Sequence, residues 1–209
     1  NEADVLAMAK HHVNTVQFYD WSYRHDTLVA DFDDYTDMMG KPNSFEVIRR
    51  KIAACHQRGL CAVGYGAVYA ASEPFAARHP DWRLYARAGE PIRFIDVFAI
   101  MNLESGWREH IVSQYCAAVQ AGFDGIHLDT YGFPKTALDA EGSTVYLEND
   151  FEPLIEQTRA ALPEATLVFN NVGGWPVERT MHAPIDAVYI EVWPPYERYE
   201  HLRQLVTTA

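Results

Sequence analysis

Two carboxylates stand where short apolar stretches end, and both positions suit catalysis. Residues 123–132 read FDGIHLDTYG, so that an apolar strand ends at Asp129. Residues 186–195 read DAVYIEVWPP, where Glu191 ends a second apolar strand. Each has a structural alternative, since an Asp often caps a loop and a Glu can pair with a nearby Arg or Lys. Because a carboxylate among apolar residues is costly, Glu191 in particular indicates a functional role.

Such a pair of carboxylates suits glycoside hydrolysis. One of them attacks the anomeric carbon or activates water, and the other protonates the leaving oxygen. These roles need opposite charge states, so the two environments should differ. Asp129, beside the polar residues Thr130 and Tyr131, is predicted to stay ionised. Glu191, between apolar neighbours, is predicted to be the protonated general acid.

Further candidates lie at or just after the predicted strand ends and suit a sugar, because aromatic rings pack on pyranose faces and polar groups bind hydroxyls. These predicted substrate-binding residues are Tyr19, Asp20, Trp21, His25, Tyr69, Tyr131, Asn170, Asn171 and Trp193. Structural roles stay open for most of them. The aromatic residues of the loop 18–26 could pack down as a lid, Tyr69 could belong to the core, and Asn170 and Asn171 could form a turn.

No metal or cofactor is predicted. The nine His lack HxH or HExxH spacing, and the three Cys are irregularly spaced. His127 lies inside an apolar strand. We therefore expect it to be an interior histidine with satisfied hydrogen bonds rather than a metal ligand. The sequence contains no GxSxG motif, so a hydrolase with a Ser-His-Asp triad is not expected.

The composition excludes two classes of partner. The net charge of −12 argues against nucleic acid and against an anionic membrane surface. No apolar stretch reaches the ~18 residues of a membrane span, so membrane insertion is not expected. An oligo- or polysaccharide is compatible with this charge, and the oligomeric state stays open. Because residues 1–17 read like the middle of a helix, we expect a segment of a longer protein.

Strands and helices alternate along the chain, which predicts parallel βαβ units. The predicted strands are 14–19, 60–69, 125–129, 166–170 and 187–191. The predicted helices are 2–12, 44–58, 107–121, 148–162, 175–181 and 196–206. Gly64 and Gly66, within the second strand, indicate close packing or a bend.

Both a doubly wound sheet and a (β/α)8 TIM barrel have this alternation. Polar residues at nearly every strand end favour the barrel, and so does the lack of a Gly-rich phosphate loop after the first strand. We therefore predict one α/β domain over residues 1–209, a (β/α)8 barrel that is incomplete here, with about five βα units.

Several blocks of the chain together resemble glycoside hydrolase family 66, which contains endo-dextranases and cycloisomaltooligosaccharide glucanotransferases. The blocks are QFYDWSYRHD (17–26), GYGAVYAAS (64–72), HPDWRLY (79–85), GFDGIHLDTYG (122–132), and NNVGGW followed by DAVYIEVW (170–193). The resemblance implies a (β/α)8 catalytic domain that acts on α-1,6-glucan with retention, outside the cell or at its surface. It also implies that Asp129 is the nucleophile and Glu191 the acid/base. Retention requires carboxyl groups ~5–5.5 Å apart.

The sequence departs from the family pattern at two places near Asp129. Residues 126–128 are IHL where Trp, Gln and Gly are usual, and Phe133 stands where an Asp is usual. The substrate could therefore be a different α-glucan or another glycan instead of dextran. The chain could also be a cyclising transglycosylase, a non-catalytic carbohydrate-binding barrel, or a doubly wound hydrolase or sugar-binding protein.

Overall fold

The computed structural model describes residues 2–208. Its main sheet has five strands, which are β1 (Thr15–Phe18), β2 (Cys61–Ala67), β3 (Gly125–Asp129), β4 (Thr166–Asn170) and β5 (Ala187–Tyr189). The helices are α1 (Glu2–Lys10), α2 (Phe45–His56), α3 (Glu73–Arg78), α4 (Trp107–Gln120), α5 (Phe151–Ala161), α6 (Val177–Thr180) and α7 (Tyr199–Thr208). No helix within residues 2–208 is long and apolar enough to cross a membrane.

The five strands are parallel and lie side by side in chain order. A doubly wound sheet reverses its strand order at a switch point, so this order excludes a doubly wound fold. Parallel neighbours in unbroken chain order, joined by helices, are the arrangement of a (β/α)8 barrel. The predicted fold class is confirmed: the sheet is a curled half-barrel that contains five of the eight strands.

The strand sequences explain which side chains enter the barrel. On β3, Ile126 and Leu128 are fully buried in the hydrophobic core. Side chains alternate along a strand, so His127 and Asp129 point to the opposite, inner face. The parallel register places His127 beside Tyr65 of β2, and Asp129 one level higher, beside Ala67. An apolar strand with alternate polar residues thereby presents its polar side chains to the interior of the barrel.

Glycines allow the sheet and its helices to approach closely. A Cβ on Gly66 would lie 2.7 Å from the Tyr115 ring of α4, and one on Gly64 would lie 3.2 Å from the indole of Trp21. The Tyr115 hydroxyl donates a 3.1 Å hydrogen bond to the carbonyl of Ala67, which joins α4 to β2. Of the two alternatives that these glycines indicated, close packing or a bend, the structure shows close packing.

The segments between strands contain more structure than the sequence indicated. Two strands before α2, Asp34–Thr36 and Pro42–Ser44, form a hairpin. Two further small sheets contain Ala70–Ser72, Arg93–Phe94 and Phe98–Ile100, and Tyr85–Arg87, Glu90–Pro91, Thr136–Leu138 and Thr144–Tyr146. Short 3₁₀ turns occupy Pro80–Trp82, Leu147–Asn149 and Val172–Gly174. All of these elements lie in the segments that follow the carboxyl ends of β1, β2, β3 and β4.

Two predicted boundaries differ from the structure near the carboxyl end. The last strand ends at Tyr189, so Glu191 lies in the following loop rather than in the strand. The final helix begins at Tyr199 instead of Tyr196. The sequence 192–196 contains consecutive prolines, which lack the backbone donor that a strand or helix interior requires.

Candidate active site

The amide of Asn170 joins the two candidate carboxylates. Its Nδ2 donates hydrogen bonds to Asp129 Oδ1 at 2.7 Å and to Glu191 Oε2 at 2.8 Å. Its Oδ1 accepts a 3.2 Å hydrogen bond from the backbone N–H of Glu191. Asp129 ends β3, Asn170 ends β4 and Glu191 follows β5, so three successive strand ends build the group. Since both oxygens contact one nitrogen, they lie no farther apart than the sum of the two contacts, 5.5 Å.

The environment of Asp129 is less polar than its sequence neighbours indicated. Burial raises the pKa of its carboxyl to about 6, and the negative charge of Glu191 acts in the same direction. The hydrogen bond from Asn170 partly opposes this rise in pKa, and so does the nearby hydroxyl of Tyr65. The neighbouring Thr130 does not solvate the carboxylate, because its hydroxyl donates to the carbonyl of Asn170. Asp129 is therefore ionised above pH 6 and neutral below it. In polar surroundings its pKa would be lower.

A cavity of about 210 Å³ is lined by four of the predicted sugar-binding side chains. These are Tyr19, Asp20, His25 and Tyr131. The negative charges of Asp129, Asp20 and Glu191 contribute to raising the pKa of Tyr19 to about 12, after burial as the largest cause. The cavity therefore lies within the electrostatic reach of the carboxylates.

Aromatic rings form one side of the cavity. Tyr131 stacks on Phe94 with ring centroids 4.4 Å apart, and its hydroxyl lies 3.4 Å from Nδ1 of His25. His25 stacks on Phe98 with centroids 4.5 Å apart. Burial lowers the pKa of His25 to about 4, so its ring is neutral at pH 7. A neutral ring can hydrogen-bond to a hydroxyl without adding charge to the site.

An ion pair also lines the cavity. Lys41 Nζ contacts Asp20 Oδ2 at 2.6 Å. Asp20 therefore has a protein partner, whereas the sequence suggested a carboxylate available for sugar hydroxyls. Both groups line the cavity, so the pair presents a donor and an acceptor together.

Three other predicted sugar-binding side chains are in the protein interior. Trp21 is 2% exposed and its indole N–H donates to the carbonyl of Tyr65. The Tyr69 hydroxyl donates to the carbonyl of Phe133 and accepts from the N–H of Tyr131, both at 2.9 Å. Asn171 is fully buried and accepts from the hydroxyl of Thr180 at 2.7 Å. These partners favour structural roles, in which the three residues hold the site's loops in place. Trp193 is 60% exposed in the loop after β5, and its role stays a prediction.

Sequence reasoning missed Tyr65 and misjudged His127, which share one level of the inner face. Tyr65 lines the cavity, and burial raises its pKa, to which the charge of Asp129 contributes. His127 is buried as predicted, but its Nε2 has no hydrogen-bond partner among the described residues. Burial lowers the pKa of His127 to about 4. The sequence GYGA in β2 could have predicted this position of Tyr65. Side chains alternate along a strand, so Tyr65 lies on the same inner face as Ala67, which pairs with Asp129.

The chain is similar to known glycoside-processing proteins. Residues 1–209 match the family model described as Glycosyl hydrolase family 66. A cycloisomaltooligosaccharide glucanotransferase of Niallia circulans is 29% identical over 93% of this chain and 23% of that protein. A second one from the same organism is 27% identical over 98% of this chain and 24% of that protein. The chain thus spans about a quarter of the length of these curated relatives.

Solved structures share the fold. A cycloisomaltooligosaccharide glucanotransferase of Paenibacillus sp., complexed with cycloisomaltoheptaose, superposes with a TM-score of 0.89 at 24% identity, over 100% of this chain and 34% of that chain. The maltogenic α-amylase AmyB of Thermotoga neapolitana has a TM-score of 0.63 at 15% identity, over 99% of this chain and 47% of that chain. An α-galactosidase of Thermus thermophilus has a TM-score of 0.65 at 18% identity, over 98% of this chain and 43% of that chain.

Proposed function

Because the chain belongs to glycosyl hydrolase family 66, we propose that it forms part of a single barrel domain that cleaves α-1,6-linked glucan with retention of configuration. One observation carries the proposal: Asn170 holds Asp129 and Glu191 so that their nearest oxygens lie within 5.5 Å. A retaining enzyme needs carboxyl groups ~5–5.5 Å apart, whereas inversion needs ~6.5–9.5 Å to admit a water molecule. The upper bound on this oxygen pair is compatible with the spacing of a retaining enzyme.

The proposed roles follow from the position of each carboxylate. Asp129, ionised above pH 6, attacks the anomeric carbon and forms a covalent glycosyl-enzyme intermediate. Glu191 donates a proton to the departing glycosidic oxygen and later removes a proton from the acceptor hydroxyl. Asn170 positions both groups and stabilises negative charge on them through its two N–H donors.

The acceptor decides between two outcomes of the same intermediate. Water as acceptor gives endo-hydrolysis of dextran, which is our leading proposal. A hydroxyl from the far end of the same glucan chain gives a cyclic product. The names of both curated relatives favour this second candidate. The two activities share Asp129 and Glu191, so the carboxylate geometry supports both equally.

Incubation of the full-length protein with dextran tests the proposal. We expect linear isomaltooligosaccharides, with the α-anomer formed first in a proton NMR time course. Cyclic products, each lighter than the linear product by one water in mass spectra, would identify the transferase instead. Absence of any product from dextran and other α-glucans would refute the proposed function, and a β-anomer formed first would refute retention.

Two variants separate the proposed roles. Asp129→Asn should abolish cleavage of every substrate, because no nucleophile remains. Glu191→Gln should abolish cleavage of dextran but still react with an isomaltosyl fluoride, whose leaving group needs no proton. Addition of azide should then yield a glycosyl azide of retained configuration from Glu191→Gln. The opposite pattern between the two variants would mean that the roles are reversed.

A further inference from the structure

A tight hairpin stands beside the aromatic side of the cavity. Strands Arg93–Phe94 and Phe98–Ile100 are antiparallel, with Phe94 opposite Phe98. The N–H of Val97 donates a 3.1 Å hydrogen bond to the carbonyl of Phe94, which closes a turn around Ile95 and Asp96. Both central residues have positive φ, 45° and 57°. Positive φ at both positions is the feature of a type I′ turn.

The residues in this turn are unfavourable for its backbone. Turns of this type strongly prefer Asn-Gly, Asp-Gly or Gly-Gly, because Cβ crowds the backbone at positive φ. A β-branched residue such as Ile95 at positive φ is a genuine outlier. Folding alone would therefore select another residue at position 95. Strained conformations of this kind cluster at ligand-binding and active sites.

The side chain of Ile95 forms part of the cavity wall, and this position gives a reason for the strained backbone. It lines the cavity together with Phe94, Phe98 and Tyr131, although it is 52% exposed. Asp96, its neighbour in the turn, is exposed and does not line the cavity. The turn thus holds the apolar side chain of Ile95 at the opening of the cavity and keeps the charged side chain of Asp96 out of the cavity wall.

The cavity leads to the nucleophile. Tyr65 forms part of its wall, two residues before Ala67, which pairs with Asp129 across the strands. Burial raises the pKa of Tyr65, and the charge of Asp129 contributes to this rise. The Lys41–Asp20 pair also lines the cavity and offers it polar groups. A volume of about 210 Å³ is below the ~300–1,000 Å³ of pockets for drug-sized ligands, so it suits one small ring. A glucosyl ring has the matching chemistry, an apolar face for the aromatic side and hydroxyls for the ion pair.

We propose that Ile95 determines which sugar ring enters this cavity, and that the strained turn is kept because it holds Ile95 at the opening. The side chain packs on an unsubstituted glucosyl ring and excludes a ring that carries a branch. This inference rests on the proposed function and goes beyond it, because it assigns a specificity determinant outside the carboxylate pair.

Substitutions at the two neighbouring positions of the turn test the proposal in the full-length protein. Ile95→Asn places a residue that tolerates positive φ in the turn and removes the apolar side chain from the cavity. We expect its Tm to rise by about 1–4 °C. We expect KM for linear dextran to rise about fivefold, which corresponds to about 1 kcal/mol, with kcat little changed. Its preference for linear over branched dextran, as a ratio of kcat/KM values, should fall about threefold or more.

Asp96→Gly is the matched control, because it relieves the adjacent positive φ but leaves the cavity wall intact. We expect a similar rise in Tm with no change in KM or in the dextran preference. Equal kinetics for the two variants and the unsubstituted protein would overturn the proposal. A lower Tm for Ile95→Asn would overturn the premise of strain. An unsubstituted protein inactive on both dextrans would instead overturn the proposed function, and this inference with it.

Discussion

Asn170 is the residue on which the site's geometry depends, since one side-chain nitrogen contacts both carboxylates. It is 1% exposed, so water does not replace its hydrogen bonds. A buried carboxylate that loses a donor keeps the cost of its charge without the compensating bond. The neighbouring Asn171 has the same chemistry but bonds to Phe169 and Thr180 instead. The two asparagines therefore allow a comparison between an amide that contacts both carboxylates and one that contacts neither.

Asn170→Ala should reduce kcat on dextran by about 100-fold or more. The reason is that the variant loses two charge-assisted hydrogen bonds, each contributing ~1.5–3 kcal/mol. The acidic limb of its pH–rate profile should also move to higher pH, because the hydrogen bond that lowers the pKa of Asp129 is removed. Asn171→Ala should lower the Tm but leave the limb of the profile in place. An unmoved limb in Asn170→Ala would contradict its role beside Asp129.

Asp129 should also make stability depend on pH. Its pKa rises from 3.8 to about 6 on folding, so the protonated form favours the folded state. The stabilising contribution is fully present below pH 3.8 and is lost as the pH rises through 6. Asp129→Asn should therefore raise the free energy of unfolding at about pH 8 by roughly 1–3 kcal/mol, with little change at about pH 3.5. Urea titrations at the two pH values measure this difference.

Asp150 supplies a control for that measurement, because burial also raises its pKa to about 6. It precedes α5 and lies outside the carboxylate pair. Asp150→Asn should show the same pH-dependent gain in stability and retain activity. Equal destabilisation by Asp129→Asn at both pH values would mean that its buried charge has no cost in the folded state.

Among the elements, the contact between β3 and β4 sets the distance between Asp129 and Asn170. At the start of β3, a Cβ on Gly125 would lie 2.0 Å from the carbonyl oxygen of Thr166 in β4. The backbone cannot yield at this point without separating the two strands. The glycine therefore permits the pairing that brings Asp129 and Asn170 together four residues later.

Gly125→Ala should destabilise the protein by about 3 kcal/mol or more, because overpacking here meets backbone rather than a flexible side chain. Gly142→Ala is the comparison, since a Cβ there meets no atom within 4 Å and only its φ of +87° opposes the change. We expect that variant to lose about 1 kcal/mol. Equal urea midpoints for the two variants would contradict the close approach of β3 and β4.

At the scale of the whole molecule, β1 and β5 are the two edges of the five-stranded sheet. Tyr19, next to β1, and Tyr189, in β5, are 63% and 43% exposed. Unpaired strand edges within residues 2–208 are templates for pairing with another chain. We propose that further strands of a (β/α)8 barrel cover these edges.

The 209-residue chain by itself should therefore associate at micromolar concentration, as measured by light scattering over a dilution series. Tyr189→Lys should reduce this association, because a charge on an edge strand opposes pairing. Tyr199→Lys, on α7 and 88% exposed, should not. A chain that stays monomeric at every concentration would show that the edges are protected without further strands.

The sequence by itself determined the parallel βα order and the positions of Asp129 and Asn170 at strand ends, because periodicity and strand exits are local properties. It also predicted the close packing at Gly64 and Gly66 correctly. Only the tertiary structure decided which polar groups meet. It showed Asn170 between two carboxylates, Lys41 on Asp20, and burial that raises the pKa of Asp129. It also showed that Trp21, Tyr69 and Asn171 lie inside. These facts depend on contacts between residues far apart in the chain, and hydrogen-bond partners and burial exist only once the strands and their loops have packed.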